Sequence, residues 1–194
     1  MRDHNEPLTG GLQRELDNFR AKRGFNPEDY VNAKSVLIND YFRENGLDTA
    51  ILGMSGGVDS AVVGALLKHA QTQDDSPIKD IISATVPADS KGVTGQTEAA
   101  TRAYDVLNFL GLEEKTIDIT APHKSLMVEV ERTFGLQGDV AAMEQSVAHT
   151  RSMALAYTAA LHRTHGQKSL LIGTTNRDEG AYIGYVGKLS LIHI

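Results

Sequence analysis

Ser55-Gly56-Gly57-Val58-Asp59-Ser60 packs two hydroxyls, two adjacent glycines and a carboxylate into six residues. The apolar run Ala50-Ile51-Leu52-Gly53-Met54 precedes it, and an apolar helical pattern through Ala61, Val62, Val63, Leu66 and Leu67 follows. That order reads as strand, tight turn, helix, and the chemistry open to such a turn is anion binding. Adjacent glycines let the backbone approach a ligand that any Cβ would hold off. The freed amides and the helix N-terminus then present partial positive charge. Ser55 and Ser60 add hydroxyl donors. Asp59 would repel an anion unless a cation lay between them, so it reads as a magnesium ligand. The plainer alternative is a turn in which Asp59 and Ser60 only cap the helix and complement its dipole. All six positions together, in strand–turn–helix context, favour a nucleotide-phosphate site. Neither G-x-x-x-x-G-K-[ST] nor G-x-G-x-x-G occurs in the chain.

The elements that must position this turn alternate helix and strand, without repeats or low-complexity tracts. A first helix is expected over 11–20. A second is capped by Asn26 and opened by Pro27, with Tyr30, Ala33, Leu37, Tyr41 and Phe42 at helical spacing before Gly46 ends it. Strands are expected over 50–54, 81–86, 116–119 and 170–173, and helices over 59–70, 96–110, 122–134 and 140–165, with Gly166 as a C-terminal stop. The alternation predicts an α/β fold, a doubly wound parallel sheet with helices on both faces. Such sheets bind ligands outside the carboxyl ends of their strands. Three of those ends carry suitable residues: the glycine turn, Val86-Pro87-Ala88-Asp89-Ser90, and Thr174-Thr175-Asn176-Arg177-Asp178-Glu179. On spacing alone Glu179 fits a capping box, as Asn176-x-x-Glu179. Only a magnesium already implied by Asp59 makes a second carboxylate there worth more than a cap.

Composition narrows the classes. With 194 residues, 41% hydrophobic and 23% charged, the chain can bury one sizeable core. No apolar run reaches the ~18 residues of a membrane span, and the start is too polar for a signal peptide, so a cytoplasmic protein is expected. Without cysteine there are no disulfides, thiolate metal sites or thiol nucleophiles. A net charge of −6 argues against a broad nucleic-acid surface. His162 and His165 share a helix face but lack a third ligand, which makes them surface histidines.

The glycine string resembles the pyrophosphate loop of the ATP-pyrophosphatase superfamily, of the adenine nucleotide alpha hydrolase type. The segment Gly173-Thr174-Thr175-Asn176-Arg177-Asp178-Glu179, with Gly184-Tyr185-Val186-Gly187-Lys188 after it, looks like G-T-[SDT]-[NH]-x-x-E…G-[YF]-[FV]-[TG]-K of NAD+ synthetase. With the helix and short acidic loop that precede the glycine turn, the match spans about 26 to 188. The resemblance implies that Gly53, Met54, Ser55, Gly56, Gly57, Val58, Asp59 and Ser60 bind ATP phosphates. It further implies that Thr174 contacts ATP, that Asp59 and Glu179 hold magnesium, and that Lys188 contacts deamido-NAD+. One residue more than in the common pattern separates Glu179 from Lys188. The family's G-N-x-x-A-R-x-R-M segment survives faintly over 145–153, where Arg151 is either a substrate contact or a solvated charge.

The reaction implied is attack of the nicotinate carboxylate on the α-phosphate of ATP, followed by displacement of AMP by free ammonia. It requires no protein nucleophile, and no catalytic side chain is assigned. The family also implies a homodimer built on the helices over 122–134 and 140–165, where Met143, Val147, Met153, Ala154, Tyr157 and Leu161 supply apolar surface. Residues 1–194 are expected to form a single synthetase domain that is incomplete at its C-terminus. The apolar tail 189–194 is expected to be non-native, because it equals a reading frame of a transposon-end adapter. Rival readings are another amide synthetase with the same loop, and an ATP-binding module without catalysis.

Overall fold

The computed structural model describes residues 10–88 and 96–174. Helix α1 (Gly10–Arg23) leads into α2 (Pro27–Glu44), whose start is set locally. Asn26 is extended, its side chain accepts the Glu28 N–H at 3.0 Å, and Pro27 takes the first turn, where its missing N–H costs nothing. Four strands follow among the described residues: β1 (Thr49–Gly53), β2 (Asp80–Thr85), β3 (Glu114–Thr116) and β4 (Ser169–Ile172). They alternate with α3 (Val58–Gln71), α4 (Gln96–Leu110), α5 (Thr120–Phe134) and α6 (Val140–Thr164). No described helix is long and apolar enough to cross a membrane.

All pairings are parallel, in the order β3-β2-β1-β4. From β1 the chain moves outward through β2 and β3, then returns to the far side of β1 as β4. The reversal of direction therefore falls between β1 and β4, the place where open α/β sheets bind ligands. Both faces are covered, as expected. Ala50, Leu52 and Met54 share one core with Ile38 and Phe42 of α2 and Leu66, Leu67 and Ala70 of α3. On the alternate face Gly53 backs onto Leu155 of α6, since a Cβ there would lie 2.6 Å from the Leu155 Cδ1.

The third strand is a correction. It occupies Glu114–Thr116 instead of 116–119, and α5 begins at Thr120 instead of 122. Ile117 N–H still reaches the Thr85 carbonyl and Ile119 N–H the Pro87 carbonyl, but Pro87 has no N–H with which to continue a ladder. Asp118 then accepts the Thr120 N–H at 2.8 Å, an Asx turn that starts the helix early. Ile119, apolar for a different reason than strand burial, joins Ala88 and Val147 in a small second core.

The same core takes up two of the six residues expected to supply apolar surface on α6. Val147 is buried and Ala154 packs against it, whereas Met143, Met153, Tyr157 and Leu161 are exposed.

Candidate functional site

Strand β1 ends at Gly53, and Met54 N–H still reaches the Ala84 carbonyl at 2.8 Å before the chain turns. Met54 is buried, so only its backbone is available to a ligand. The turn delivers Gly57 to the N-cap of α3 with φ −88° and ψ 161°, and a glycine makes no side-chain cap. The first-turn amides of a helix lack intrahelical acceptors, and here the cap residue supplies none either. Asp59 sits at the second position of the helix, half-buried, beside the positive end of its dipole.

The two glycines answer to different neighbours. Gly56 has φ +77°, and a Cβ on it would lie 2.0 Å from the Ala99 carbonyl oxygen of α4. The expectation that both glycines make room for a ligand is therefore corrected at Gly56, which makes room for α4. At Gly57 a Cβ would meet only the Ser55 Oγ, at 3.3 Å, so that side of the turn is open to an approaching group.

The hydroxyls are also differently employed than expected. Ser60 is buried, and its hydroxyl donates to the Gly57 carbonyl at 2.9 Å while lying 3.0 Å from the Ser55 Oγ and accepting the Ser55 N–H at 3.3 Å. Ser55 Oγ in turn accepts the Gly57 N–H at 3.2 Å. Ser60 thus braces the turn from beneath, and Ser55, exposed, is the hydroxyl on its outer side.

The end of β4 and the helices α6 and α4 bring three further side chains into the region. Thr174, half-buried, lies two residues past the Leu52↔Ile172 pair and so beside the end of β1. Arg151 crosses from α6 to donate its Nε–H to the Val86 carbonyl just beyond β2, at 2.9 Å. It is half-buried against that strand end and is not a charge dissolved in solvent. Arg102 of α4 donates its Nε–H to the Gly56 carbonyl at 3.1 Å. Sequence reasoning missed Arg102 because the contact joins residues 46 apart and no motif marks it.

A buried His123 lies near the second strand end, with Nε2 2.8 Å from the Ser146 Oγ. The same serine hydroxyl lies 2.7 Å from the Met143 carbonyl, a bond within α6. His162 pairs with Gln167, and His165 Nδ1 lies 2.9 Å from the Leu161 carbonyl, consistent with local roles at the end of α6.

Glu179, Lys188, Asp89, Ser90 and the tail 189–194 lie outside the described residues. Among the described residues no group of three or more His, Asp or Glu gathers as a metal cluster. Magnesium does not require one: it keeps several waters and takes one or two carboxylates together with substrate phosphates. The single carboxylate of Asp59, in the first turn of α3 beside the glycine turn, is compatible with that habit.

Residues 30–190 match the family model for NAD synthase. The NH3-dependent NAD+ synthetase of Pyrobaculum aerophilum is 30% identical over 84% of this chain and 56% of its own length. The glutamine-dependent NAD+ synthetase of Aquifex aeolicus is 28% identical over 86% of this chain and 27% of its own. The chain thus spans about half the length of the first of these relatives and about a quarter of the second. Among solved structures, NMN synthetase from Francisella tularensis superimposes with a TM-score of 0.69 at 22% identity, over 86% of this chain and 61% of that one, a likeness of fold.

Proposed function

The chain belongs to the NAD synthase family, and from that premise we propose that this protein amidates deamido-NAD+ to NAD+ with ATP as co-substrate. The observation that carries the reading is the span of the family model, which includes the glycine turn at the carboxyl end of β1 and the helix it feeds, whose N-cap glycine makes no side-chain cap. A carboxylate oxygen of the nicotinate ring attacks the α-phosphorus of ATP, the bond to the bridging oxygen breaks, and pyrophosphate leaves. Ammonia then attacks the acyl carbon, loses a proton, and expels AMP. No step needs a protein nucleophile, so the side chains act by positioning and by charge.

In this reading Gly53 to Ser60 cradle the phosphates and Thr174 contacts ATP. Asp59 and Glu179 hold magnesium, whose charge would offset that of the departing pyrophosphate. Arg151 and Lys188 face deamido-NAD+. The half-buried position of Arg151 at the neighbouring strand end supports its part. Ammonia is proposed as the nucleophile, although relatives of both the NH3-dependent and the glutamine-dependent kinds match the chain. A homodimer acting in the cytoplasm, without nucleic acid or membrane, completes the proposal.

The test is incubation with ATP, magnesium, deamido-NAD+ and either ammonium or glutamine. NAD+, AMP and pyrophosphate should appear in equal amounts with ammonium. Binding of ATP with no AMP under any donor would make the chain a nucleotide-binding module instead.

A further inference from the structure

We propose that Arg102 is a positioning residue for the phosphate-binding turn, holding the Gly56–Gly57 peptide so that its carbonyl faces α4 and its N–H faces the anion side. The inference rests on the reading of the turn as a phosphate site and adds a residue that no motif identifies.

One peptide unit is held at both ends. Its carbonyl, that of Gly56, accepts the Arg102 Nε–H at 3.1 Å, and its N–H, that of Gly57, donates to the Ser55 Oγ at 3.2 Å. C=O and N–H point in opposite directions across a planar peptide. The N–H therefore lies on the side of the turn where the Ser55 hydroxyl is found, and the oxygen lies toward α4. A peptide flanked by glycines on both sides is the easiest kind to flip, because neither residue has a Cβ to obstruct the rotation. A flip would turn a carbonyl oxygen, with its partial negative charge, toward an incoming phosphate and withdraw a donor from it.

Two features oppose that rotation from the α4 side. Gly56 packs so closely on α4 that even a Cβ has no room beside the Ala99 carbonyl. The Arg102 Nε–H gives the Gly56 oxygen a hydrogen-bond donor on the α4 side. With the oxygen held, the Gly57 N–H can exchange Ser55 Oγ for a phosphate oxygen without any backbone movement, which is the preorganisation an anion site needs.

The bond is made by Nε, and this permits a clean test. Glutamine carries its amide nitrogen at the same position along the side chain but has no charge; methionine has similar length and no donor. Arg102→Met should speed hydrogen exchange of the Gly57 amide in the ligand-free protein about tenfold and weaken MgATP binding by a similar factor, the loss expected for one such bond. Arg102→Gln should restore both to within about twofold of the parent. Melting temperatures should differ by no more than a few degrees among the three proteins, the size of one hydrogen bond. Equal impairment in the two variants would overturn the proposal, because the guanidinium would then act through its charge. Equal behaviour of all three proteins would overturn it as well. Should the parent protein bind no MgATP, the phosphate reading fails and the proposed function of the peptide with it, while Gly57 exchange still reports whether Arg102 holds that peptide.

Discussion

Asp59 and the two glycines beside it separate folding from ligand binding at single positions. Asp59→Asn keeps the shape and removes the charge, so magnesium-dependent ATP affinity should fall by at least tenfold with stability changed by less than about 0.5 kcal/mol. Calorimetric titration with and without magnesium decides it; unchanged affinity would leave Asp59 as a dipole partner of α3 only. Gly56→Ala and Gly57→Ala should behave oppositely. The first forces a positive φ and a backbone collision with Ala99, and should cost roughly 2–4 kcal/mol of stability. The second adopts φ −88° without strain and needs only the Ser55 hydroxyl to yield, so it should melt within a few degrees of the parent and yet lose ATP affinity. Melting curves and titrations of the pair measure both halves. Adjacent and chemically identical in the sequence, these glycines differ only through what the fold sets against each of them.

At the scale of elements, the sheet is fastened at the end opposite the site. Asp48 accepts the Lys168 N–H at 2.9 Å and the Thr49 hydroxyl at 2.9 Å, with the Lys79 ammonium 3.4 Å away, and so ties together the starts of β1, β2 and β4. Partial burial pushes its pKa up, but the Lys168 N–H, the Thr49 hydroxyl and Lys79 outweigh that and hold the carboxyl below the usual carboxylate range. A depressed folded-state pKa means that this stabilisation is fully present above the ordinary carboxylate pKa and is lost as pH falls through the folded value. Asp48→Asn should therefore lower stability at neutral pH by about 1 kcal/mol and flatten the acid limb of the stability curve. Urea unfolding at pH 7 and pH 3 would show it, and an acid limb as steep as the parent's would refute it. Most elements are legible from periodicity and caps: Asn26, Pro27 and Gly46 delimit α2, and the helix expected over 96–110 is the span α4 occupies. The third strand is not. Ile117 and Ile119 look like alternate strand residues, whereas the ladder stops because Pro87 on the neighbouring chain segment cannot donate.

At the scale of the whole molecule, apolar rows on α5 and α6 are exposed among the described residues. Leu126, Val130 and Phe134 recur every four residues on α5, and Met153, Tyr157 and Leu161 do so on α6, all of them exposed. Residues at that spacing line one face of a helix. Exposed apolar rows of this kind belong to an interface more often than to a monomer's surface. A second copy of the chain should cover them in the proposed dimer, and Tyr157→Glu should shift the mass from dimer to monomer by light scattering at micromolar concentration with the fold intact by circular dichroism. A parent protein that is monomeric there would remove the shared interface.

By itself the sequence determined the order of helices and strands, the glycine turn and its place after β1, because periodicity, caps and adjacent glycines act over a few residues. Only the tertiary structure decided that Gly56 serves α4 while Gly57 is open, that Ser60 is a brace and not an exposed donor, and that Arg102 and Arg151 reach backbone carbonyls at two strand ends. Those contacts join residues 46 and 65 positions apart. A hydrogen bond across such a separation depends on how helices pack onto the sheet, and no local pattern of residue types encodes that geometry.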